Sequence, residues 1–511
     1  MGNRSAHSYE IISYYTGYII LGTALLMLIP IVTALLFAEW NPLCDFLISM
    51  SLAMLVGTAM ILLGRRTRTE RAVVQWKHGF VVASLSWLLL MVLCAVPYSL
   101  SGHTESFLDS CFDVMSGFTT TGLVMTQDLD HLSNAMNMWR HLLTFIGGQG
   151  MVVLALTFLA KGTNGAYRLY VGEAKDVELV PNVKGTARMI WKISFIYLVF
   201  GTAALWIDGM VIGLKPVSAF LHALYMFESS WSTGGFGPMT QNIMYYHSVS
   251  YEFITMVLFL LGSLNFGLHY AVWKGNGKEL VKNIEVRSFF ITSTAACLMA
   301  LLWFRSRNLY SDPVSLFRRV LFNVISAHTT TGLGSVYARQ FALEWGDFGI
   351  LLMALVMLIG GSACSTAGGF KGLRVGIIFK GVVKEIRKLL SSERNLKVYK
   401  FHHIKEQTLN DEAVRSASLI VICYMALFAA GTLLGTFCGY PLSQSAFEAA
   451  SVTGNVGLSI GVTAPSEPAV LKVYDIAAMY MGRLEFLSVF ALISYFGGAV
   501  IKVCKKVSKS Y

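Results

Sequence analysis

From residue 11 to residue 38 the chain carries no charged side chain, and Ile and Leu dominate the stretch. About 20 apolar residues in helical form cross a hydrocarbon core of ~30 Å. No water reaches the backbone there, so the segment must pair its own N–H and C=O groups, as a helix does. The run is too long for a signal-peptide core of about 7–15 residues. Its flank carries only Arg4, and it is read as a retained helix kinked at Pro30. Comparable runs fall near 43–64, 79–99, 138–160, 189–213, 251–273, 288–304, 344–386, 414–437 and 472–503. Ten helices predict an all-α polytopic membrane protein.

Composition narrows the function classes. Charged residues make up 14% of the 511, against about 25% in ordinary soluble domains, and 55% are hydrophobic. The 8 cysteines are scattered with no CxxC, which excludes a disulfide scaffold. A net charge of +11 could suggest nucleic acid, but the basic residues alternate with apolar runs, so no nucleic-acid partner is expected. There is no HExxH, GxSxG or P-loop lysine motif, and the 11 histidines are dispersed. Enzyme activity is not expected.

The charge has a pattern. Segments 64–78, 161–192, 274–287, 371–415 and 502–509 hold five, six, four, eleven and four Lys/Arg, 30 of the 40 in the chain. All lie in alternate connections, whereas 100–137 contains five acidic residues and no Lys or Arg. Basic loops remain in the cytoplasm, so both termini are expected there.

The opposite connections contain a repeat. The segments FDVMSGFTTTGL (112–123), YMFESSWSTGGF (225–236), FNVISAHTTTGL (322–333) and FEAASVTGNVGL (447–458) align on Gly122, Gly235, Gly332 and Gly457. An aromatic stands ten residues before each glycine (Phe112, Tyr225, Phe322, Phe447) and a serine six before (Ser116, Ser229, Ser326, Ser451). Spacings of 113, 97 and 125 residues leave room for helix, re-entrant segment and helix in each unit. Four such units predict four-fold pseudosymmetry around one axis.

Irregular backbone at membrane depth must be buried in protein or line a watery cavity. Four short helices ending in Thr/Gly turns would set rings of carbonyls on the axis, in place of a cation's hydration shell. The expected filter residues are Thr119, Thr120, Thr121 and Gly122; Ser232, Thr233, Gly234 and Gly235; Thr329, Thr330, Thr331 and Gly332; and Gly454, Asn455, Val456 and Gly457. Glycine supplies the dihedrals that aim carbonyls inward, and small side chains let four backbones converge.

The run 344–386 is too long for one span, and its middle is Gly360-Gly361-Ser362-Ala363-Cys364-Ser365-Thr366-Ala367-Gly368-Gly369. Four glycines in ten residues disfavour a helix. The run is either a flexible barrier inside the filter or a small-residue packing surface. Cys364 is a small packing residue or a redox sensor. Arg483 and Glu485 interrupt the last apolar helix, where a charge must face the pore or a partner. Two positions apart on a helix, they point about 200° from one another. Arg483 is a barrier or a tether for the loop, or half of an interhelical salt bridge. Lys371 does similar work or snorkels to the interface. Asp113 and Glu448, equivalent in the repeat, cap backbone or draw cations to the mouth.

At these residues the chain resembles the membrane subunit of the Trk/Ktr/HKT potassium transporters, over nearly its whole length. The four Thr/Gly segments carry the resemblance, with GGSACSTAGGFKG (360–372) and GRLE (482–485). The extra helix pair at the start resembles the Trk branch (TrkH-like) rather than the shorter Ktr branch. The resemblance implies four M1–pore loop–M2 units: 71–165, 166–280, 281–400 with its gate loop at 360–372, and 401–511, after an N-terminal helix pair at 1–70. It implies potassium uptake across the bacterial cytoplasmic (inner) membrane, with potassium bound at the filter and no organic cofactor. In this family Ser at the first of the four filter glycines goes with sodium and Gly with potassium, so glycine at all four (Gly122, Gly235, Gly332 and Gly457) implies potassium. A homodimer and a cytoplasmic nucleotide-binding (TrkA-like) ring are the implied partners. The basic connection 387–413 suits an acidic partner or anionic membrane lipid, or is plain topology. An ion-translocating subunit of a potassium-pumping ATPase and a sodium/potassium symporter are the alternatives.

Overall fold

The computed structural model describes residues 8–65, 75–150, 183–310, 312–390 and 398–507. The second half of the expected 138–160 span lies outside these residues, as do much of the basic segment 161–192 and, in the 387–413 connection, Arg394 and Lys397. The N-terminal pair is α1 (Ser8–Leu26) with α2 (Leu28–Leu36), then α3 (Trp40–Leu63). The first unit has α4 (Trp76–Ser101), α5 (Phe107–Phe118) and α6 (Asn134–Gln149). The second has α7 (Val183–Val211), α8 (Pro216–Trp231), α9 (Val249–Gly262) and α10 (Phe266–Trp273). The third has α11 (Ile284–Ser306), α12 (Phe322–His328), α13 (Gly346–Ile359) and α14 (Gly372–Leu389). An antiparallel hairpin, β1 (Lys400–His403) and β2 (Lys405–Thr408), pairs Lys400 with Thr408 and leads into the fourth unit. That unit has α15 (Asp411–Phe437), α16 (Leu442–Gly454), α17 (Ala469–Arg483) and α18 (Leu487–Val507).

Six helices among the described residues are long and apolar enough to cross a bilayer, and eight if two bent pairs each count as one span. Of the ten expected spans, 138–160 is described only as far as residue 150, and three others are shortened or broken. The α13 stretch has 14 residues, about 21 Å of helix, and the glycine-rich run stops it before it can cross. The expected spans 251–273 and 472–503 are each broken, by 97° between α9 and α10 and by 113° between α17 and α18. The first span is interrupted at Met27, three residues before Pro30, whose missing N–H and bulky ring disrupt the preceding turn.

Short pore helices start where the sequence supplies caps. Ser106 Oγ accepts from Asp109 N–H at the start of α5. Pro216 opens α8 at the position where a missing N–H costs nothing. The third pore segment starts at Pro313 behind the Asp312 cap and passes through a π turn, Phe317–Leu321, into α12. At 12 residues α5 is about 18 Å long, too short to span, and its residues from Asp109 to Phe118 are buried.

The units are stapled in cyclic order, each second helix to the next unit's pore segment. Arg140 of the first donates to the Gly237 carbonyl of the second at 3.3 Å. Glu252 of the second grips Arg318 of the third through bonds of 2.7 and 2.9 Å. Lys472 of the fourth bonds Asp109 of the first at 2.5 Å. Between third and fourth the contact is apolar, with Phe341, Met353 and Met357 packed in one cluster with Phe447, Ala450 and Val456.

Lys472 and Asp109 are both buried, so removing one leaves an uncompensated charge. Asp109→Asn is expected to destabilise the protein by about 3 kcal/mol. Asp109→Asn with Lys472→Met should recover most of that loss. Melting of the detergent-purified protein, followed by size exclusion, checks both.

Candidate functional site

Each pore helix ends in the same turn. The N–H one residue before the aligned glycine (Thr121, Gly234, Thr331, Val456) donates to the carbonyl of the aligned serine (Ser116, Ser229, Ser326, Ser451), at 2.8 Å in all four units. One residue earlier, Thr120, Thr233, Thr330 and Asn455 adopt left-handed backbone with φ of 52–55°. Their N–H groups bond three residues back, to Gly117, Ser230, Ala327 and Val452. Together these are the 6→1 and 5→2 bonds of a Schellman closure. Glycine or Asn normally occupies its left-handed position, so the three β-branched threonines are strained there. Their hydroxyls compensate: Thr120 Oγ1 donates to the Thr119 carbonyl and Thr233 Oγ1 to the Ser232 carbonyl, both at 2.7 Å.

The aligned glycines return to positive φ, at 94°, 70°, 76° and 95°. The residues between them do not, so handedness alternates along each segment and successive carbonyls turn toward one side. The glycines also close the ring. A Cβ on Gly122 would lie 2.6 Å from the Gly234 carbonyl oxygen of the second unit. A Cβ on Gly235 would meet Thr331 O, one on Gly332 would meet Val456 O, and one on Gly457 would meet Thr121 O. First meets second, second third, third fourth and fourth first. The four turns expected as a filter meet in a closed ring, and only glycine fits where neighbours touch.

Behind the ring, the chain leaving each turn is fastened. Asp113 accepts from the N–H groups of Met125 and Thr126 and from the Thr126 hydroxyl at 2.6 Å. Glu448 accepts from Ile460 and Val462 N–H at 3.0 and 3.1 Å. Asn323, at the same repeat position, accepts from Ser335 N–H at 3.1 Å. The two carboxylates therefore cap backbone. In the second unit this position is Met226, whose side chain has no oxygen to cap backbone N–H groups. Arg140 from the first unit replaces it: the guanidinium is buried, donates to Gly237 O and lies 4.7 Å from the Phe236 ring centroid. Sequence comparison of the units shows the gap at Met226 but not the residue that fills it.

The glycine-rich run forms a loop directly against the ring. Gly360, Cys364, Gly369 and Lys371 have positive φ, which no helix tolerates. Ser362 N–H donates to the Ser263 carbonyl at 2.9 Å, the Cys364 carbonyl accepts from Phe266 N–H, and Ser365 Oγ turns back to Ser362 O. Gly361 and Ala367 pack together, and Ala363 N–H bonds the Glu285 carboxylate. The loop reaches all four left-handed residues. Thr366 O accepts from Thr120 Oγ1 at 3.4 Å, and Thr366 Oγ1 lies 3.1 Å from Thr233 Oγ1. Gly368 N–H donates to Thr330 Oγ1 at 2.7 Å, and a Cβ at Gly368 would meet Gly454 O and Asn455 Cβ.

Arg483 bridges this loop to the first unit. Its guanidinium donates to Thr366 O at 2.5 Å and to Gly147 O at 3.0 Å, with longer contacts to Ala367 and Gly148 carbonyls. The 200° separation expected between Arg483 and Glu485 does not apply, because the helix ends at Arg483 and Glu485 itself has φ of 51°. Glu485 instead holds Lys371 at 2.8 Å and Arg374. Lys371 is 7% exposed, so it is locked in an ion pair and does not snorkel.

A further register was missed in the sequence. FIGG (145–148), LLGS (260–263), LIGG (358–361) and YMGR (480–483) align on Gly147, Gly262, Gly360 and Gly482. A Cβ on Gly147, Gly262 or Gly482 would collide with the Phe118, Trp231 or Thr453 carbonyl, four residues before each unit's filter glycine. The next residue is Gly148, Ser263 or Gly361 in three units and Arg483 in the fourth. Gly482→Ala is expected to cost about 3 kcal/mol from overpacking. Gly497→Ala, with open space around the added carbon, should be neutral or stabilising by up to about 1 kcal/mol. Melting temperatures of the two purified variants test the contrast.

The geometry agrees with known proteins. The family model for TrkH, cation transport protein, matches residues 46–496. The chain is 27% identical to an uncharacterized cation transporter of Methanocaldococcus jannaschii, over 97% of this chain and 98% of that one. It is 28% identical to the Trk system potassium uptake protein TrkG of Escherichia coli, over 95% and 98%. The crystal structure of the potassium transporter TrkH from Vibrio parahaemolyticus superposes with a TM-score of 0.80 at 25% identity, covering 95% of this chain and 98% of that one. A multi-pass membrane chain with four pore turns, matched along most of its length, belongs to the TrkH family of cation transport proteins.

Proposed function

We propose that the chain carries potassium ions into the cell across the bacterial cytoplasmic membrane, with both termini on the cytoplasmic side. The observation that carries this reading is the closed ring of four Schellman turns, with glycine at every contact between neighbours. Such a ring offers a dehydrating cation carbonyl dipoles in place of water. The membrane potential, ~2.3 kcal/mol per charge per 100 mV, drives the ion inward. The Trk system names of the relatives and the glycines at all four aligned positions favour potassium over sodium.

The loop 360–372 serves as the gate. Its contacts with all four left-handed residues support a position across the path on one side of the filter, with Arg483 as its tether. A cytoplasmic nucleotide-binding ring docks on the basic 387–413 connection and moves α14, which follows the loop directly. Two copies of the chain form a homodimer, as the family resemblance implies.

Rubidium-86 and sodium-22 uptake into proteoliposomes tests the reading: rubidium is expected to enter at least about tenfold faster, and equal entry would overturn the selectivity. Gly122→Ser, whose added atoms press on Gly234 O, should narrow that ratio about tenfold. Arg483→Gln removes the tether and should raise rubidium flux several-fold without regulator, with the ratio unchanged. A deletion of 391–397 that leaves a nucleotide response intact would exclude docking at this connection.

A further inference from the structure

A second group of charges lies away from the ring, on the face that holds most of the basic residues. The hairpin, the start of α11 and the middle of α14 enclose a cleft of about 240 Å³. Lys282, Arg287, Lys380 and Lys400 line it, over Phe401 and beside Glu406. The one lining carboxylate, Glu406, is paired with Lys400 at 3.2 Å. His402 at the rim is held by Glu279 at 2.9 Å, which anchors the hairpin to the segment before α11. Arg287 Nε donates to the Val281 carbonyl at 2.6 Å and Lys380 Nζ to the Lys400 carbonyl at 3.1 Å. Among the described residues neither has a carboxylate partner, although Arg287 and Lys380 repel one another across the cleft. The fold brings cations together here and leaves their charge to be met from outside.

The surroundings identify the anion. Arg287 stands at the foot of a stripe on α11 in which Phe290, Ile291, Leu298 and Leu302 are 55–69% exposed. Phe290 and Ile291 follow Arg287 by three and four residues, Leu298 follows Ile291 by seven and Leu302 follows Leu298 by four, which keeps these side chains on one side of the helix. Beside Lys380, Phe379 is 69% exposed. On a helix that crosses a bilayer, such a stripe meets acyl chains, and a basic pocket at its end meets headgroups. We propose that this cleft binds the phosphate of an anionic phospholipid, whose chains lie along the exposed side of α11. The lipid bridges Arg287 on α11 and Lys380 on α14. Because Gly372 N–H, at the start of α14, bonds Gly361 O at 2.9 Å, the bridge also restrains the loop beneath the ring.

Native mass spectrometry of the full-length protein in detergent tests this, with dioctanoyl phosphatidylglycerol and dioctanoyl phosphatidylcholine as probes. The phosphatidylglycerol adduct is expected to persist at concentrations where phosphatidylcholine does not bind. Arg287→Gln with Lys380→Gln should weaken it about tenfold or more. Lys278→Gln, exposed and outside the cleft, should leave it unchanged. Should the double variant not express, the single variants carry the same test at about threefold each. Equal retention of both lipids, or unaltered binding in the variants, would overturn the proposal. So would displacement of the lipid by millimolar inorganic phosphate that depends on Arg287 and Lys380, since the occupant would then be a soluble anion. The readout is binding, so its outcome is independent of which cation the ring passes.

Discussion

One hydrogen bond, repeated four times at 2.8 Å, sets the architecture: an N–H one residue before a glycine donates to the carbonyl of a serine five residues earlier. It closes each pore helix inside the protein, where an unpaired N–H would cost several kcal/mol. It forces the intervening residue into left-handed backbone, and the chain leaves the helix on the far side of the turn. Everything around the ring supports that closure. Capping residues fasten the exit strand, the second helices of the second, third and fourth units break beside the ring, and interunit staples hold the four turns at contact distance.

Two consequences follow for energetics. Strain at Thr120, Thr233 and Thr330 is tolerated because hydroxyl groups at the same residues find acceptors or donors nearby. Those partners include the loop at 360–369, so the loop does more than occupy space: it satisfies groups belonging to the ring. Arg483 adds a charge whose hydrogen bonds go to the Thr366 carbonyl of the loop and to the Gly147 carbonyl in the last turn of α6, where partial negative charge accumulates. Moving the loop exposes those carbonyls and the arginine together, which makes the displaced state higher in energy until water or a partner replaces the contacts.

Much of this was legible in the residues. The uncharged runs specify a membrane chain, and the repeat of aromatic, serine and glycine specifies four turns. The Gly-rich loop was placed beside them because ten small residues cannot extend a helix. The rest depended on contacts that spacing does not encode. The aligned glycines at 147, 262, 360 and 482 form as clear a column as the filter glycines, yet apolar surroundings made them look like ordinary helix positions. The break after Arg483 has no proline or glycine within it; Glu485 and Phe486 take positive φ where Glu485 holds Lys371 and Arg374, all distant in sequence. Arg140 substitutes for a missing cap in a neighbouring unit, a relation that no alignment of the unit with itself could reveal. The hairpin at 400–408 is likewise fixed by Phe401 packing on Ile284 and Ile377, far along the chain.

The four units are covalently joined, and among the described residues the loop belongs to the third. In an assembly of four identical chains, any segment able to reach the axis would arrive in four copies, and four copies cannot share a space that admits a single strand. Fusion into one polypeptide removes that conflict. It lets the third copy carry a loop that reaches all four turns, the fourth acquire an arginine where its siblings keep glycine or serine, and the first lend an arginine to the second. Symmetry is retained in the turns that close the ring and abandoned in the loop and the arginines that lie against it.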